Sequence, residues 1–148
     1  MAIWEWALDA YGRDGVADAC LALQDDHGQN VPFLLWAVWA EARDPGLLAR
    51  AAEAARRWGA VAVEPLRQVR RGLKAGCPPV DDGAREALRE DVKAAELRAE
   101  RLLLETLAGL SGTKPGGAPA LAALEAASAA WGRPAPAGAL AALAQALG

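Results

Sequence analysis

The stretch Val31-Pro-Phe-Leu-Leu-Trp-Ala-Val-Trp-Ala40 carries no charged side chain on any face. Asn30 can cap a helix that begins here, and Pro32 is tolerated in its first turn. A helix that is apolar all round is normally the buried centre of a bundle. The stretch has about half of the roughly 20 residues that a membrane-spanning helix needs. It therefore predicts a central core helix.

The residues before this stretch show the spacing of two amphipathic helices. The first helix is expected to end at Gly12, and the second to open with Asp14 as its N-cap and to end at Gly28. Apolar residues three and four positions apart mark the face of each helix that packs inward. The predicted inward residues are Trp4, Ala7, Leu8 and Tyr11 in the first helix, and Val16, Cys20, Leu23 and His27 in the second.

Asp44 and Pro45 are expected to be the N-cap and first-turn residue of the next helix. The helical segment from Leu47 to Lys74 is interrupted by Pro65. Proline lacks an N–H and clashes with the preceding turn, so the segment is either one kinked helix or two helices that meet near Gly59. We favour two helices. The second is expected to turn Val63, Leu66, Val69 and Leu73 inward and Arg67, Arg70, Arg71 and Lys74 outward.

The rest of the chain predicts one long helix and a separate tail. Asp81 and Asp82 open the longest helix, which runs to about Leu110, and a Gly- and Pro-rich linker follows Ser111. Two Ala-rich helices are expected after the linker, and such helices bury little area. We therefore expect a helical core domain over residues 1–110, and over residues 111–148 a linker with a helical tail in a supporting role.

The fold class predicted from these patterns is all-α. No segment shows the alternation or the β-branched content of a strand. We expect a compact bundle of about six or seven helices around the buried central helix, with an Ala-rich C-terminal tail. A chain of 148 residues has the length of a single domain.

Charge and cysteine content limit the function classes. The net charge of −3 argues against a general binder of nucleic acid or of anionic membranes. Cys20 and Cys77 are far apart and belong to no Cys/His cluster, which predicts neither a disulfide framework nor a zinc site. Unpaired thiols suit a reducing compartment, and the N-terminus lacks the positive region of a signal peptide. We expect a cytoplasmic protein with no metal and no cofactor.

The run Gly15-Val-Ala-Asp-Ala-Cys-Leu-Ala-Leu-Gln-Asp-Asp-His-Gly28 resembles an uncharacterised family of short bacterial helical proteins, a domain of unknown function. The similarity covers roughly residues 3–107 and includes Trp4-x-Trp6, Glu64-Pro-Leu-Arg67 and Glu96-Leu-x-Ala-Glu-Arg101. The tail lies outside it. The resemblance implies a helical cytoplasmic protein and brings no activity, cofactor or partner.

His27 is the single histidine and the first candidate for a ligand site. With Gln24, Asp25 and Asn30 it could bind a small molecule or move a proton at the end of its helix. Alternatively, His27 and Gln24 satisfy the helix-end carbonyls in the turn before the central helix. Cys20 lies about 10 Å from His27 along the helix axis, too far for a nucleophile and its base.

Glu96 and Glu100 are like charges four residues apart, a spacing that is sometimes kept to hold a ligand or metal. One histidine cannot supply the two Glu-x-x-His elements of a di-iron bundle. A single-metal site that joins His27 to these glutamates is one alternative. A solvated face that pairs with nearby arginines is the other.

Two features are candidates for contact with a partner. The first is the basic ridge, Arg67, Arg70, Arg71 and Lys74, whose spacing places all four on one helix face. Cations in a last helical turn also interact well with the helix dipole, so the ridge has a structural interpretation too. The second is Trp6, which falls off the apolar stripe of its helix, and an exposed Trp suggests an interface.

Together these patterns predict a non-catalytic interaction or adaptor protein, with another protein or a second copy as its partner rather than nucleic acid. The alternative is a small-molecule- or metal-binding helical protein, including an enzyme, with its site around Gln24, Asp25, His27 and Asn30. A cavity in which Glu96 or Glu100 reaches His27 would favour the alternative. A filled core with an exposed Trp6 would favour the adaptor.

Overall fold

The computed structural model describes residues 1–148, and every regular element in it is helical. The elements are α1 Ile3–Tyr11, α2 Val16–His27, α3 Val31–Trp39, α4 Pro45–Trp58, a π-helical segment Gly59–Val63, α5 Glu64–Gly72, α6 Asp82–Ser111, α7 Ala120–Ala130 and α8 Ala137–Leu147. Because α4, the π-helical segment and α5 follow one another without a break, the chain forms seven continuous helices. The predicted all-α class is confirmed.

Side-chain caps start three of these helices as the sequence predicts. The carboxamide of Asn30 accepts a hydrogen bond from the Phe33 N–H at 3.0 Å. Asp44 and Asp81 accept from N–H groups three residues ahead, both at 2.8 Å. The predicted cap at Asp14 is wrong, because Gly15 precedes α2 with a φ of 84° and no side chain caps the helix. Glycine reaches that left-handed conformation at little cost.

The preference for two helices around Pro65 is wrong, because the chain stays helical through the proline. The Glu64 N–H donates to the carbonyl of Gly59, five residues back instead of four. This wider π turn shifts the hydrogen-bond register just before Pro65 and accommodates a residue that has no N–H to donate.

The chain divides into two compact units. The first unit comprises residues 1–55 and 104–148, and the second comprises residues 56–103. These bounds differ from the predicted division into residues 1–110 and 111–148. In the structure α8 packs on α2 and α7 packs on α3. Leu124 and Leu143 of these two helices are fully buried.

The core of the first unit surrounds α3. Every residue from Val31 to Ala37 is buried, as expected of a helix without a polar face. Phe33 and Trp36 are 0% exposed, and their rings stack with centroids 5.8 Å apart. The ring centroid of Trp131, which follows α7, also lies 5.8 Å from that of Phe33. The Ala-rich helices therefore complete the core around α3.

The linker between α6 and α7 is held against the turn that follows α3. The Gly116 N–H donates to the Ala40 carbonyl at 2.9 Å, and the Ala118 N–H donates to the Glu41 carbonyl at 3.1 Å. A Cβ atom at position 116 would overlap the Glu41 carbonyl oxygen, so only glycine fits there. Glu41 itself has a φ of 49°, which is uncommon for a residue with a side chain.

In the second unit α5 and the first part of α6 run antiparallel on either side of the 73–81 loop. Arg85 donates to the Leu73 carbonyl at 2.6 Å, which satisfies a carbonyl at the end of α5. The indole N–H of Trp58 donates to the Ala99 carbonyl at 2.8 Å. None of the helices combines the length and the apolar content needed to cross a membrane.

Candidate functional site

An open groove of about 420 Å³ lies on the first unit. Trp39, the last residue of α3, lies in the wall of the groove. Glu41, in the turn that follows α3, also lines the groove. Trp6 reaches the groove from α1, and apolar groups of Val38, Pro119 and Leu147 complete the lining. The groove therefore combines two indole rings with a carboxylate.

Both groove tryptophans are partly exposed, and their N–H groups differ. The Trp39 N–H donates to the Met1 carbonyl at 3.2 Å, which fixes the ring. The Trp6 N–H donates to no group of the chain. An amphipathic ring with an open donor at a groove wall is typical of a recognition surface.

The charged groups at this groove are not balanced. Arg13 is held by the Asp9 carboxylate at 2.8 Å and also donates to the Leu147 carbonyl. Glu41 has no ion-pair partner in the chain. Among the side chains of the groove, one carboxylate, that of Glu41, is therefore available to a ligand, and the one arginine is already paired.

The four candidates around His27 do not form a common site. His27 is partly buried at the end of α2, and Asn30 uses its side chain to cap α3. Gln24 donates to the adjacent Asp25 at 3.4 Å, on the exposed side of the helix. Each polar group has a local partner or faces solvent.

Gln29, which the sequence analysis did not single out, satisfies the carbonyls of this turn. It is 4% exposed, and its amide donates to the carbonyls of His27 at 3.1 Å and Arg133 at 2.7 Å. Its oxygen accepts from the hydroxyl of Ser128 at 2.9 Å, and that hydroxyl in turn accepts from the Ala135 N–H at 2.8 Å. The signal in the sequence was a lone serine within an Ala-rich helix. This buried polar network fastens the turn before α3 to the turn after α7.

The cysteine and metal alternatives also lack the required geometry. Burial raises the pKa of the Cys20 thiol to about 12, against a smaller opposing effect of its hydrogen bond with Tyr11. A thiol with this pKa is not a nucleophile at neutral pH. No group of three or more His, Cys, Asp and Glu side chains is arranged to hold a metal ion.

The basic ridge is partly a structural element. Its predicted outward orientation is wrong for Arg67, which is 9% exposed and donates to Glu96 at 3.2 Å. Arg70 also donates to Glu96, whereas Arg71 and Lys74 are exposed. Val69, predicted to face inward, is 49% exposed. Arg67 and Arg70 of the basic ridge contact α6, because Glu96 of α6 faces α5.

Glu96 and Glu100 respond to this environment in opposite directions. Burial raises the pKa of Glu96, but hydrogen bonds and charge from Arg70 and Arg67 outweigh it and hold that pKa below its ordinary value. Burial and the neighbouring charge of Glu96 raise the pKa of Glu100, which lies 3.6 Å from Arg67. Both glutamates thus interact with arginines of the second unit, whereas His27 belongs to the first unit.

Comparison with known families identifies most of the chain. A family model described as "Protein of unknown function (DUF2390)" matches residues 2–107, close to the region in which the resemblance was noted. No curated protein and no solved structure matches the chain. The match covers well over half of the sequence. The chain therefore belongs to the DUF2390 family of proteins of unknown function.

Proposed function

We propose that the chain is a non-catalytic interaction protein that binds a partner protein through the groove of the first unit. The observation that carries this proposal is the pair of partly exposed tryptophans, Trp6 and Trp39, in the wall of that groove. Tryptophan is enriched among the few residues that dominate binding energy at protein interfaces. We also infer a cytoplasmic location, since Cys20 and Cys77 are both free, and a bacterial source from the family resemblance.

The other candidate functions have less support. Asn30 is engaged as a helix cap, and Glu96 is engaged by two arginines, so the small-molecule or metal site proposed around His27 would need these contacts to break. The same ion pairs occupy Arg67 and Arg70 of the basic ridge. A nucleic-acid site would need these charges to meet phosphate instead.

The proposal is tested by immobilising the wild-type chain and three variants and comparing what each retains from a lysate of the source organism. Partners that bind through the groove should be depleted about tenfold or more in Trp6→Ala and Trp39→Ala, because truncating a tryptophan that dominates an interface costs about 2 kcal/mol or more and about 1.4 kcal/mol is tenfold in affinity. Leu21→Ala is the matched control, since Leu21 is 56% exposed on the same unit and lies outside the groove. Quantitative mass spectrometry measures the depletion, and circular dichroism checks that each variant is folded.

Identical sets of retained proteins for wild type and both tryptophan variants would contradict a role of the groove in binding. Loss of a partner in Leu21→Ala as well would show that binding uses a different surface.

A second observation supports self-association through the second unit. Glu64 on α5 and Glu100 on α6 both pair with Arg67 and lie on one side of the contact between these two helices. Uncharged residues of α5 and α6 lie on the other side of that contact. We call this uncharged surface the apolar side of the helix pair. It consists of Leu66, Val69 and Leu73 on α5 and Leu88, Val92, Ala95 and Leu102 on α6.

Three large side chains of the apolar side are about half exposed, Val69 at 49%, Leu88 at 51% and Leu102 at 53%. Exposed apolar surface of this kind marks interaction sites. A second copy is the simplest occupant, because an uncharged surface can pair with itself about a two-fold axis as a four-helix bundle.

We expect the chain to be a dimer by sedimentation equilibrium, and Leu88→Glu with Leu102→Glu to make it monomeric. Burying two carboxylates in an apolar interface is strongly unfavourable. The control is Leu97→Glu, since Leu97 is 51% exposed on the opposite side of the same helix and should leave the dimer intact. A wild-type chain that is monomeric at high concentration would refute self-association.

A further inference from the structure

The groove of the first unit carries an unpaired negative charge beside two aromatic faces. Glu41 lines the groove and has no ion-pair partner, and the rings of Trp6 and Trp39 line the same groove. Indole faces attract cations through the negative potential of the ring. A carboxylate and two indoles together favour a positively charged group.

The position of Glu41 is held by contacts from two parts of the chain. Its N–H donates to the Val38 carbonyl at 3.1 Å, and its carbonyl accepts from the Ala118 N–H at 3.1 Å. Gly116 fits against the same carbonyl only because it has no side chain. These contacts keep Glu41 at a φ of 49°. A backbone conformation that is disfavoured for glutamate is thus retained at the groove, and such residues are concentrated at functional sites.

The net charge of the first unit also favours a positively charged ligand. The first unit carries 11 acidic and 5 basic side chains, a net charge of −6. Arg13, the one cationic side chain in the groove wall, is paired with Asp9 at 2.8 Å. The field around the groove therefore attracts basic segments and repels acidic ones.

We propose that the groove binds an arginine or lysine side chain in a segment of the partner protein, with its cationic group between the two indoles and against Glu41. This inference rests on the proposed function and adds the chemistry of the partner. A guanidinium can stack on an indole and donate to a carboxylate at once, which an ammonium does less well. Arginine segments should therefore bind more tightly than lysine segments.

The test uses four capped pentapeptides, Gly-Gly-X-Gly-Gly, in which X is arginine, lysine, citrulline or glutamate. Citrulline has the shape of arginine without its charge. Titrations are followed by NMR of the indole N–H signals, which report directly on Trp6 and Trp39. We expect saturable shifts with arginine and lysine that weaken with salt, and about tenfold weaker binding of citrulline, the loss of one charge-assisted contact.

Glu41→Gln should weaken binding of the arginine peptide about tenfold and leave the citrulline peptide unchanged. Glu125→Gln is the control, since Glu125 is an exposed carboxylate on α7 of the same unit and does not line the groove. Equal weakening in both variants would mean that only the overall charge of the unit matters, which overturns a role for Glu41.

Two outcomes separate the failure of this inference from failure of the proposed function. If citrulline binds as well as arginine and Trp6→Ala abolishes both, the groove binds peptides without selecting a cation, and only the further inference fails. If none of the four peptides shifts the indole signals and the tryptophan variants retain the same proteins as wild type, both proposals fail.

Discussion

Deleting residues 112–148 is expected to abolish the cooperative unfolding of the first unit, although the deletion leaves α1 to α6 intact in sequence. The deleted helices pack on α2 and α3 and bury Leu124, Leu140 and Leu143 there. Without them Phe33 loses the ring of Trp131, and Gln29 loses the hydroxyl of Ser128 deep in the structure. The apolar surface that these helices cover becomes exposed to water, and each hydrogen bond that Gln29 loses adds about 0.5–1.5 kcal/mol.

The truncated chain should keep much of its far-UV circular dichroism, lose its near-UV signal from tryptophan, and bind a hydrophobic dye. A single substitution makes the same point within the intact chain. Leu143→Ala should lower the free energy of unfolding by about 2–5 kcal/mol, because Leu143 is 0% exposed. Leu121→Ala on α7 should cost less than about 1 kcal/mol, since Leu121 is 39% exposed. A truncated chain that melts cooperatively at the wild-type temperature would show that the tail is accessory.

The sequence alone did not reveal the contribution of the tail. Its composition of alanine and leucine predicted two helices correctly, but such helices show little apolar surface one at a time. The small alanines let α7 and α8 approach α2 and α3 closely, which buries the few leucines completely. Burial of this kind depends on the partner surface, and helical periodicity carries no information about it.

The central helix and its caps were predictable because their signals are local. The ten uncharged residues after Asn30 could be placed only in a core. The Asn30 cap accepts its hydrogen bond from Phe33, only three residues ahead in the sequence. The orientation of Arg67 was not predictable, because its partner Glu96 lies 29 residues away in sequence. The periodicity of α5 favoured the face with Leu66, Val69 and Leu73. The ion pair with Glu96 of α6 turns Arg67 inward instead.

The groove residues were predictable only in part. Trp6 was identified as a candidate because it departs from the apolar stripe predicted for its helix, and it does line the groove. The predicted stripe itself is wrong at Leu8 and Tyr11, which are 53% and 41% exposed. Trp39 and Glu41 were not candidates, since they belong to the end of α3 and the turn after it. The position of that turn also depends on contacts from the distant linker, at Gly116 and Ala118.

Glu96→Gln is expected to destabilise the second unit by about 3 kcal/mol at pH 7, because removing one partner leaves buried charge unmatched. Arg67 and Arg70 both donate to this carboxylate, and the side chains of Arg67 and Glu96 are 11% and 10% exposed. Glu100→Gln, one helical turn away, is the matched comparison. It should be neutral or stabilising, because burial and the charge of Glu96 already disfavour the charged form of Glu100.

The pH dependence of the two variants should differ in sign. The folded pKa of Glu96 lies below its ordinary value of 4.5, so its stabilisation is complete above pH 4.5 and is lost as the pH falls through the folded pKa. The folded pKa of Glu100 lies above 4.5, so its ionisation lowers stability at neutral pH, and that cost disappears as the pH falls through the folded pKa towards 4.5.

Urea unfolding of wild type and both variants between pH 7 and pH 3 measures these differences. The deficit of Glu96→Gln should be largest at pH 7 and shrink below pH 4.5, where the wild-type carboxylate becomes protonated as well. Any gain of Glu100→Gln should vanish at a higher pH than the deficit of Glu96→Gln does. Equal destabilisation by both substitutions at pH 7 would mean that the two glutamates share the arginines evenly. In that case Glu96 would not be the carboxylate that holds α5 against α6.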